Sequence, residues 1–432
     1  MNPAYRTFQA TLIVLSLATS TFGQTIVFDR IPKQMQLFPR DLGSNSATVQ
    51  VSGTVESPGV DAIEITVSGN GTNLLTESQP LAYSGTNAAF SMSSTLPARL
   101  VNYLFEIRVI EGVVTTLVRS VNDVVVGDVY LINGQSNAEA MMYVGSANGN
   151  QGPFLRSFGT RNISGLAVSS DLAWHLAEGD LYQGSGAVGQ WGLRMGRRLI
   201  DAYGIPIALL NGAKNVEPIG YFCRDDDDHT ALFNNYGRLL FRASEAGVAQ
   251  KARAMLWYQG EAEGGNGPVH EQGFIDLYHA WKENYPGLER VYVHQLRSGC
   301  GVRQNDVDLR DRQRRLQDRF PDVRVMSTTG VNGHLGCHFA YADGYETIGD
   351  HIFGLVASDL YEPVPRANVE APNIAAAYFG DVSKTSIVIR TRNGSDDLVY
   401  DPLSRAYFVL SGGTATITGG SATGNLITLS LS

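Results

Sequence analysis

The sequence predicts an α/β domain with a β-rich segment on each side. Between residues 127 and 362, short apolar runs alternate with stretches of helical period, and this alternation is typical of parallel strands joined by helices. Before and after this range, apolar and polar residues alternate with a period of two, as in half-buried strands. We therefore predict a three-layer α/β/α domain with about five parallel strands, flanked by N-terminal and C-terminal β-rich domains.

The first 24 residues have the pattern of an export signal. Arg6 precedes a short apolar run at 10–18, and the small residues Thr21 and Gly23 follow it, which is the order found in secretory signal peptides. The apolar run is too short to span a bilayer. We expect residues 1–24 to be a signal peptide and the mature protein to be periplasmic or extracellular.

Residues 25–126 are predicted to form a β-sandwich of immunoglobulin-like size. Short alternating segments are separated by Gly, Asn, Ser and Pro clusters, a spacing typical of antiparallel sandwiches. The four segments are 46–53, 62–67, 88–92 and 103–109. We expect a structural role for this domain, with carbohydrate binding as the alternative.

The range 127–362 is predicted to hold the α/β domain. Strands are expected at 129–132, 205–210, 252–258, 291–296 and 323–326, and helices at 188–203, 234–249, 270–284, 306–319 and 342–361. A long loop is expected from Ser136 to about residue 186. Residues 366–432 return to strand patterning at 386–390, 406–410 and 414–418, which predicts a small C-terminal β domain.

Composition excludes some classes of partner. The 432 residues have a formal charge of -9, which disfavours nucleic acid and anionic membranes. No later segment has the length of a transmembrane helix, so no membrane insertion is expected. Of the three cysteines, Cys300 and Cys337 follow separate predicted strands, so a disulfide between their loops is plausible and Cys223 would remain unpaired. The alternative is that all three cysteines are reduced.

Polar residues follow the ends of the predicted parallel strands. Ligands of open α/β sheets bind beyond the carboxyl ends of the strands, so these residues are expected on one rim. They are Ser136, Asn137, Asn211–Lys214, Gln259, Glu261, Arg297 and His334–His338. A serine on a sharp turn after a buried strand is where α/β enzymes present a nucleophile, although an ordinary helix N-cap has the same pattern.

Three motifs carry a family resemblance. They are Gly127-Asp128-Val129-Tyr130 with Gly134-Gln135-Ser136-Asn137, then Trp257-Tyr258-Gln259-Gly260-Glu261, then Gly336-Cys337-His338-Phe339 with Gly344-Tyr345. In this order they resemble the sialate O-acetylesterase-like branch of the SGNH (GDSL-like) hydrolases. The resemblance covers roughly residues 127 to 361, and the flanking segments lie outside it.

The resemblance implies roles for several of these residues. Ser136 is the implied nucleophile and His338 the base, because an imidazole titrates near neutral pH. The implied oxyanion hole combines the Ser136 N–H, a glycine and the side-chain amide of Gln259. Gly189 is the expected glycine, with Gly186 as the alternative.

The chain departs from the family pattern at one position. The family usually has Asp three residues before the histidine, to orient the imidazole, and here that position is Leu335. Glu261 is our first candidate to replace this carboxylate. Asp343 is nearer in sequence but is expected to cap the last helix.

The substrate is expected to be an acetylated carbohydrate. We assign Gln135 and Asn137, which flank the nucleophile, to substrate binding, and Lys214 and Arg297 either to a sugar carboxylate or to solvated surface. The acidic run at 225–228 is interpreted as a solvated loop rather than a metal site, because consecutive loop residues diverge. No metal or cofactor is expected.

The sequence thus predicts a serine esterase that removes O-acetyl groups from carbohydrate, such as sialate or acetylated polysaccharide. Two alternatives remain open. Leu335 supports a catalytically weakened, carbohydrate-binding relative of such esterases. A lipid or aryl esterase would instead show a broad apolar cleft beside Ser136.

Overall fold

A computed structural model describes residues 26–301, 307–364, 366–393 and 397–432. The predicted signal peptide lies outside the described residues. Within these ranges, no helix is both long enough and apolar enough to cross a membrane.

The N-terminal part is β-rich, as predicted. Its strands are β1 (Ile26–Arg30), β2 (Leu37–Pro39), β3 (Ser46–Val55), β4 (Ala62–Gly69), β5 (Thr72–Pro80), β6 (Ala88–Pro97), β7 (Tyr103–Glu111) and β8 (Val114–Gly134). β3 pairs with β1 and β6, and β4 pairs with β5 and β7, all antiparallel. Along β6, buried and exposed residues alternate strictly, so one face is available for a core. Buried side chains from both groups of strands, such as Val51 and Ile107, form that core.

The middle of the chain alternates strands and helices. The strands are β9 (Leu155–Phe158), β10 (Thr160–Arg161), β11 (Trp174–Leu176), β12 (Gly184–Ser185), β13 (Ile207–Asn211), β14 (Ala254–Tyr258), β15 (Arg290–Gln295), β16 (Val323–Ser327), β17 (His334–Leu335) and β18 (His338–Phe339). The helices are α1 (Ser136–Glu139), α2 (Gly165–Ser170), α3 (Gln190–Tyr203), α4 (Asn235–Glu245), α5 (Gly267–Asn284), α6 (Val307–Arg319) and α7 (Glu346–Leu360).

Six of these strands lie parallel in the order β9-β13-β8-β14-β15-β16. Both faces of the sheet are buried, as parallel sheets require. Val129 and Leu131 of β8 pack in a core with side chains of α4 and α5. Tyr130 and Ile132, on the opposite face, pack with side chains of α3 and α7. The carboxyl end of β8 therefore opens at one edge of a sheet that is covered on both sides.

The strand β8 runs through the predicted boundary between residues 126 and 127. Its first part pairs antiparallel with β7, and its last part pairs parallel with β13 and β14. In its middle lies the buried carboxylate of Asp128, which forms ion pairs with Arg40 and Arg253 at 2.7 and 3.1 Å. The Tyr361 hydroxyl, just after α7, also donates to Asp128 at 2.6 Å. One buried carboxylate thus joins the N-terminal segment, the sheet and the end of the last helix.

Two sequence predictions in this part of the chain are wrong in detail. The loop predicted from Ser136 to about residue 186 contains β9 to β12 and α2, and β9 adds a sixth strand to the parallel sheet. These elements have two to six residues, too few to show a clear period. The last helix begins at Glu346 rather than at 342, because Asp343 has a positive φ of 59° that interrupts the helix. Asp343 therefore does not cap α7.

The C-terminal strands are β19 (Ile374–Phe379), β20 (Ser386–Thr391), β21 (Ile417–Thr423) and β22 (Leu426–Leu431), in the antiparallel order β19-β20-β22-β21. The strand predicted at 406–410 is wrong. A 3-10 turn spans Pro402–Tyr407, and the side chain of Asp401 accepts a hydrogen bond from the Leu403 N–H at its start. Proline has no N–H to give to a sheet, which favours the turn.

Candidate active site

Ser136 is the first residue of α1, directly beyond the carboxyl end of β8. Gly134 permits this sharp turn with a φ of 132°, and a Cβ there would lie 2.1 Å from the carbonyl oxygen of Tyr258. Only glycine tolerates both conditions. Asn133 braces the turn, because its side-chain oxygen accepts the Gly134 N–H at 2.8 Å. Ser136 itself is 8% exposed, which leaves it near the surface of the rim.

Two backbone N–H groups are available beside Ser136. In the described part of the chain, neither the N–H of Ser136 nor that of Gly189 has a hydrogen-bond acceptor. The Gly186 N–H, in contrast, donates to the Gly159 carbonyl at 3.2 Å. Gly189 also lies against α1, since a Cβ on it would come within 2.5 Å of the Glu139 carbonyl oxygen. The geometry therefore favours Gly189 over Gly186 as the expected oxyanion donor.

Asn211, at the end of β13, holds these two backbone segments together. Its side-chain nitrogen donates to the carbonyls of Ala138 in α1 and Val188 at 2.8 and 2.9 Å. Its oxygen accepts the N–H of Ala213 at 2.8 Å. The residue is fully buried, and all its polar atoms are satisfied. Asn211 thus connects α1, which begins with Ser136, to the loop that contains Gly189.

The hairpin β17–β18 carries His338, and a disulfide anchors it. Leu335 on β17 lies opposite His338 on β18. Cys337 is joined to Cys300 across 37 residues of sequence, and Cys223 is a free thiol. Of the two alternatives that the sequence left open for Cys300 and Cys337, the structure has the disulfide.

Two further hydrogen bonds hold the hairpin on the rim. The side-chain nitrogen of Asn137 donates to the Cys337 carbonyl at 3.2 Å, so the neighbours of Ser136 and His338 in sequence are in direct contact. The guanidinium of Arg297 donates to the Gly336 carbonyl and lies over the Phe339 ring. Arg297, predicted to bind substrate, is therefore engaged with the hairpin.

The His338 ring is half-buried and stacks on Tyr143, with the ring centroids 4.0 Å apart and the planes 9° from parallel. Burial lowers the pKa of His338 from its usual value of 6.5. Among the described residues, no carboxylate forms a hydrogen bond or ion pair with this ring, and the Ser136 hydroxyl does not contact it at hydrogen-bond distance. The position of the ring thus depends on stacking and on the hairpin.

Glu261 lies next to the Ser136 turn, and among the described residues it forms no hydrogen bond with His338. One of its oxygens accepts a hydrogen bond from Asn137 at 2.7 Å, and the other is buried without a partner. Burial raises the pKa of Glu261 to about 7, against the opposing effect of the Asn137 bond. The Tyr345 hydroxyl donates to the other side of Asn137 at 2.9 Å. Asn137 is therefore fully used within the protein.

The glutamines of the first two motifs are also engaged internally. Gln259 is fully buried, and its nitrogen donates to the carboxylate of Glu263 and, at 3.4 Å, to the Glu217 carbonyl. The side-chain oxygen of Gln135 accepts the N–H groups of Gly260 and Ala262, at 3.3 and 3.2 Å. These contacts tie the Ser136 turn to the loop after β14. Because the side-chain nitrogen of Gln259 donates to Glu217 and Glu263, it has no N–H left to donate toward the rim.

Sequence reasoning missed two side chains of this region. Glu139 is 1% exposed, so its carboxylate is buried beside the Ser136 turn. Burial raises its pKa to about 7, while Arg161 and Lys214 act to lower it. Because Glu139 lies one helical turn after Ser136, its position in the sequence could have indicated that it is near this site. Tyr143 gave none, because it lies in an irregular segment and reaches His338 only through the fold.

Lys214 and the acidic run at 225–228 also contact neighbouring residues of the chain. Lys214 donates to the backbone and side chain of Asn215. In the acidic run, Asp226 pairs with Arg224, and Asp228 accepts from Thr230. Within the described ranges, no group of three His, Cys, Asp or Glu side chains is placed to hold a metal ion.

The disulfide gives a first testable prediction. Replacing Cys300 and Cys337 together by Ser should lower stability by about 4 kcal/mol, because the loop they close becomes free in the unfolded chain. It should also lower kcat by about 10-fold, since the hairpin then depends on weaker contacts, and misplaced catalytic groups are costly. Thermal unfolding and initial rates measure the two effects, with Cys223→Ser as the matched control. A double variant with wild-type kcat would show that the hairpin is held without the disulfide.

Comparisons with known proteins agree with the motifs. The model of a family described as carbohydrate esterase, sialic acid-specific acetylesterase matches residues 126–354, just over half of the chain, and this confirms the family resemblance. No curated protein matched the chain.

Among solved structures, a carbohydrate acetylesterase from Xanthomonas citri is similar, with a TM-score of 0.55 and 16% identity over 94% of this chain and 91% of that chain. This likeness shows a shared fold. A protein from Arabidopsis thaliana (TM-score 0.40, 16% identity, 52% and 94% covered) and a family two carbohydrate esterase from Cellvibrio japonicus (0.34, 10%, 78% and 97%) are too distant to support an argument. By its motifs and the family match, the chain belongs to the carbohydrate esterase family described as sialic acid-specific acetylesterase.

Proposed function

We propose that this protein is a serine esterase that removes O-acetyl groups from carbohydrate, on a three-layer α/β/α domain of the SGNH type. The observation that supports it best is the turn at Ser136, where two unpaired backbone N–H groups lie beside the nucleophile helix. The hairpin carrying His338 contacts the same turn through Asn137. Membership of a carbohydrate esterase family supplies the substrate class.

In the proposed reaction, the Ser136 hydroxyl attacks the acetyl carbonyl carbon while His338 takes its proton. The N–H groups of Ser136 and Gly189 donate to the oxyanion that forms. The C–O bond to the sugar then breaks, and His338 gives the proton to the leaving sugar hydroxyl. Water, deprotonated by His338, hydrolyses the acetyl-enzyme and releases acetate. Gln259 joins as a third donor only if it exchanges its bond to Glu263.

We propose that stacking replaces the usual aspartate in placing His338. The Tyr143 ring fixes the plane of the imidazole, and the disulfide and Asn137 fix its backbone. None of these groups supplies the negative charge that stabilises an imidazolium in a full triad. A Ser-His dyad of this kind should therefore be slower than a triad enzyme.

Restoring the carboxylate tests this interpretation. Residues opposite each other on paired strands have Cβ atoms about 4.5–5.5 Å apart, so Leu335→Asp places a carboxylate beside His338. We expect kcat to rise by about 10-fold, because the charge stabilises the imidazolium in the transition state. Leu335→Asn is the matched control, with the same size and no charge. Equal rates for the two variants would contradict the dyad.

The pH profile gives a second test of His338. The neutral ring is the base, and burial lowers its pKa below 6.5, so the neutral form persists to lower pH than for a solvated histidine. The acid limb of kcat/KM should therefore lie below pH 6.5. Rates measured from about pH 4 to about pH 9 locate it. An acid limb near pH 7 would instead point to Glu261 or Glu139, whose pKa values are about 7.

The function is tested by acetate release from O-acetylated sialate, acetylated polysaccharides, and aryl and lipid esters. We expect the highest kcat/KM on an acetylated saccharide. Lys214 and Arg297 enter the proposal as contacts for an acidic sugar, which predicts a preference for sialate or uronate over neutral sugars. Faster hydrolysis of long-chain lipid esters would overturn the carbohydrate assignment.

We also propose that the protein acts outside the cytoplasm. The disulfide supports this, because such bonds persist mainly in oxidising compartments, as does the N-terminal sequence pattern. Detection of the mature protein in periplasm or medium, with a new N-terminus near residue 25, is the corresponding test.

A further inference from the structure

A cavity behind the nucleophile helix is lined by four cationic side chains. Arg161, Arg238, Arg242 and Lys214 all border it, between the β10–α2 segment, the residues after β13, and α4. We call these four residues the cationic cluster. The three arginines are buried, with 3%, 5% and 2% of their surfaces exposed. Lys214 is partly exposed.

Among the described residues, no carboxylate forms an ion pair with the cationic cluster. Arg161 donates to the carbonyls of Glu139 and Leu181, and its Nε is buried without any partner. Arg242 donates only to the carbonyls of Phe158 and Asn211.

The other two members are similar. Arg238 donates to the Leu232 carbonyl and the Tyr221 hydroxyl, and Lys214 donates to oxygens of Asn215. In the described part of the chain, none of the four forms an ion pair. Buried charges are normally paired, so the positive charge of this cluster is not balanced by ion pairs.

Two nearby carboxylates act on the cluster without forming ion pairs with it. The carboxylate of Glu139 interacts electrostatically with Arg161 and Lys214, and that of Asp171 with Arg242, without an ion pair to any of them. Burial lowers the pKa of both arginines, and the charge of Arg161 lowers that of Arg242 further. The positive charges of the cluster therefore repel one another. A bound anion would reduce this repulsion.

The size of the cavity limits the ligand. The cavity volume is about 20 Å³. By the same measure, one water molecule needs about 10–15 Å³. A single small ion, close to water in size, fits this space, whereas a sugar ring does not. The guanidinium groups supply the N–H donors that such anions prefer.

We propose that the cationic cluster binds one small monovalent anion close to water in size, such as a halide. The bound anion stabilises Arg161, which holds the Glu139 carbonyl at the end of α1. The site is thus coupled to the helix that carries Ser136. Lys214, which is also a proposed contact for an acidic sugar, links this site to the rim on which the acetyl ester is proposed to bind.

The test uses crystals of the full chain soaked in sodium bromide, and thermal unfolding in chloride, acetate or gluconate at equal ionic strength. Gluconate is too large for the cavity and serves as the reference anion. We expect an anomalous bromide peak within hydrogen-bond distance of the arginines, and a saturable rise in Tm of about 2 °C in chloride over gluconate. Bromide that persists in the presence of acetate would support a halide site, whereas acetate that displaces it would overturn the restriction to an ion of this size.

Matched variants decide whether the cluster is responsible. Lys214→Met should reduce the Tm response at least 3-fold, and Lys251→Met, an exposed lysine outside the cavity, should retain it. Equal Tm values in all three salts would overturn the proposal, and so would a full response in Lys214→Met. A bromide peak without any response in solution would mark an adventitious ion only, and would also overturn it.

Discussion

Ser136→Ala should lower kcat/KM for acetyl ester hydrolysis by about 10⁴-fold or more, which corresponds to about 5 kcal/mol of transition-state stabilisation. The substitution removes the only atom proposed to bond to the acetyl carbon. The residue lies at a turn whose shape depends on Gly134 and Asn133, so the fold should be unchanged. Initial rates with a chromogenic acetyl ester and with acetylated saccharides measure the effect.

The matched control for this variant is Ser244→Ala, an exposed serine on α4. It should keep wild-type activity. If Ser136→Ala hydrolyses acetyl esters as fast as the wild type, Ser136 is not the nucleophile. If the wild type is itself inactive while Leu335→Asp is active, the natural protein is a degenerate esterase.

His338→Ala should lower kcat by about 10³- to 10⁴-fold with little change in KM, because the base acts on the proton of Ser136 and not on substrate binding. The variant also removes the ring that stacks on Tyr143. Steady-state kinetics measures both constants.

His351→Ala, at an exposed position on α7, is the control for losing an imidazole elsewhere. It should leave both constants unchanged. A His338→Ala enzyme whose KM rises while kcat stays constant would show that His338 binds substrate instead.

The sequence predicted those features that depend on local pattern. The buried run before Ser136 and the positions of α3 and α5 follow from apolar spacing, and the rim follows from the topology of parallel strands. The positions of the cysteines allowed two alternatives, a Cys300–Cys337 disulfide or three reduced thiols, and did not decide between them.

Features that depend on tertiary contact were not accessible in this way. No sequence period indicates that Tyr143 stacks on His338, or that the amide of Gln259 is turned toward Glu263. The strand predicted at 406–410 failed for a related reason. Its apolar residues, such as Val409, face solvent, and an alternating pattern forms a strand only where a layer covers one face.

The continuity of β8 has a consequence for how the molecule can be divided. A fragment that starts at residue 127 would keep the catalytic motifs but cut this strand in two, and it would leave Asp128 without Arg40. Asp128 would keep Arg253 and Tyr361, but the fragment would lose the Arg40 ion pair and the side chains of Leu37 and Val125, which pack in one core with Val129. Both losses would destabilise it. The N-terminal sheet is therefore not an independent module that can be removed. It and the sheet that carries Ser136 should unfold in one cooperative transition, as a single thermodynamic unit.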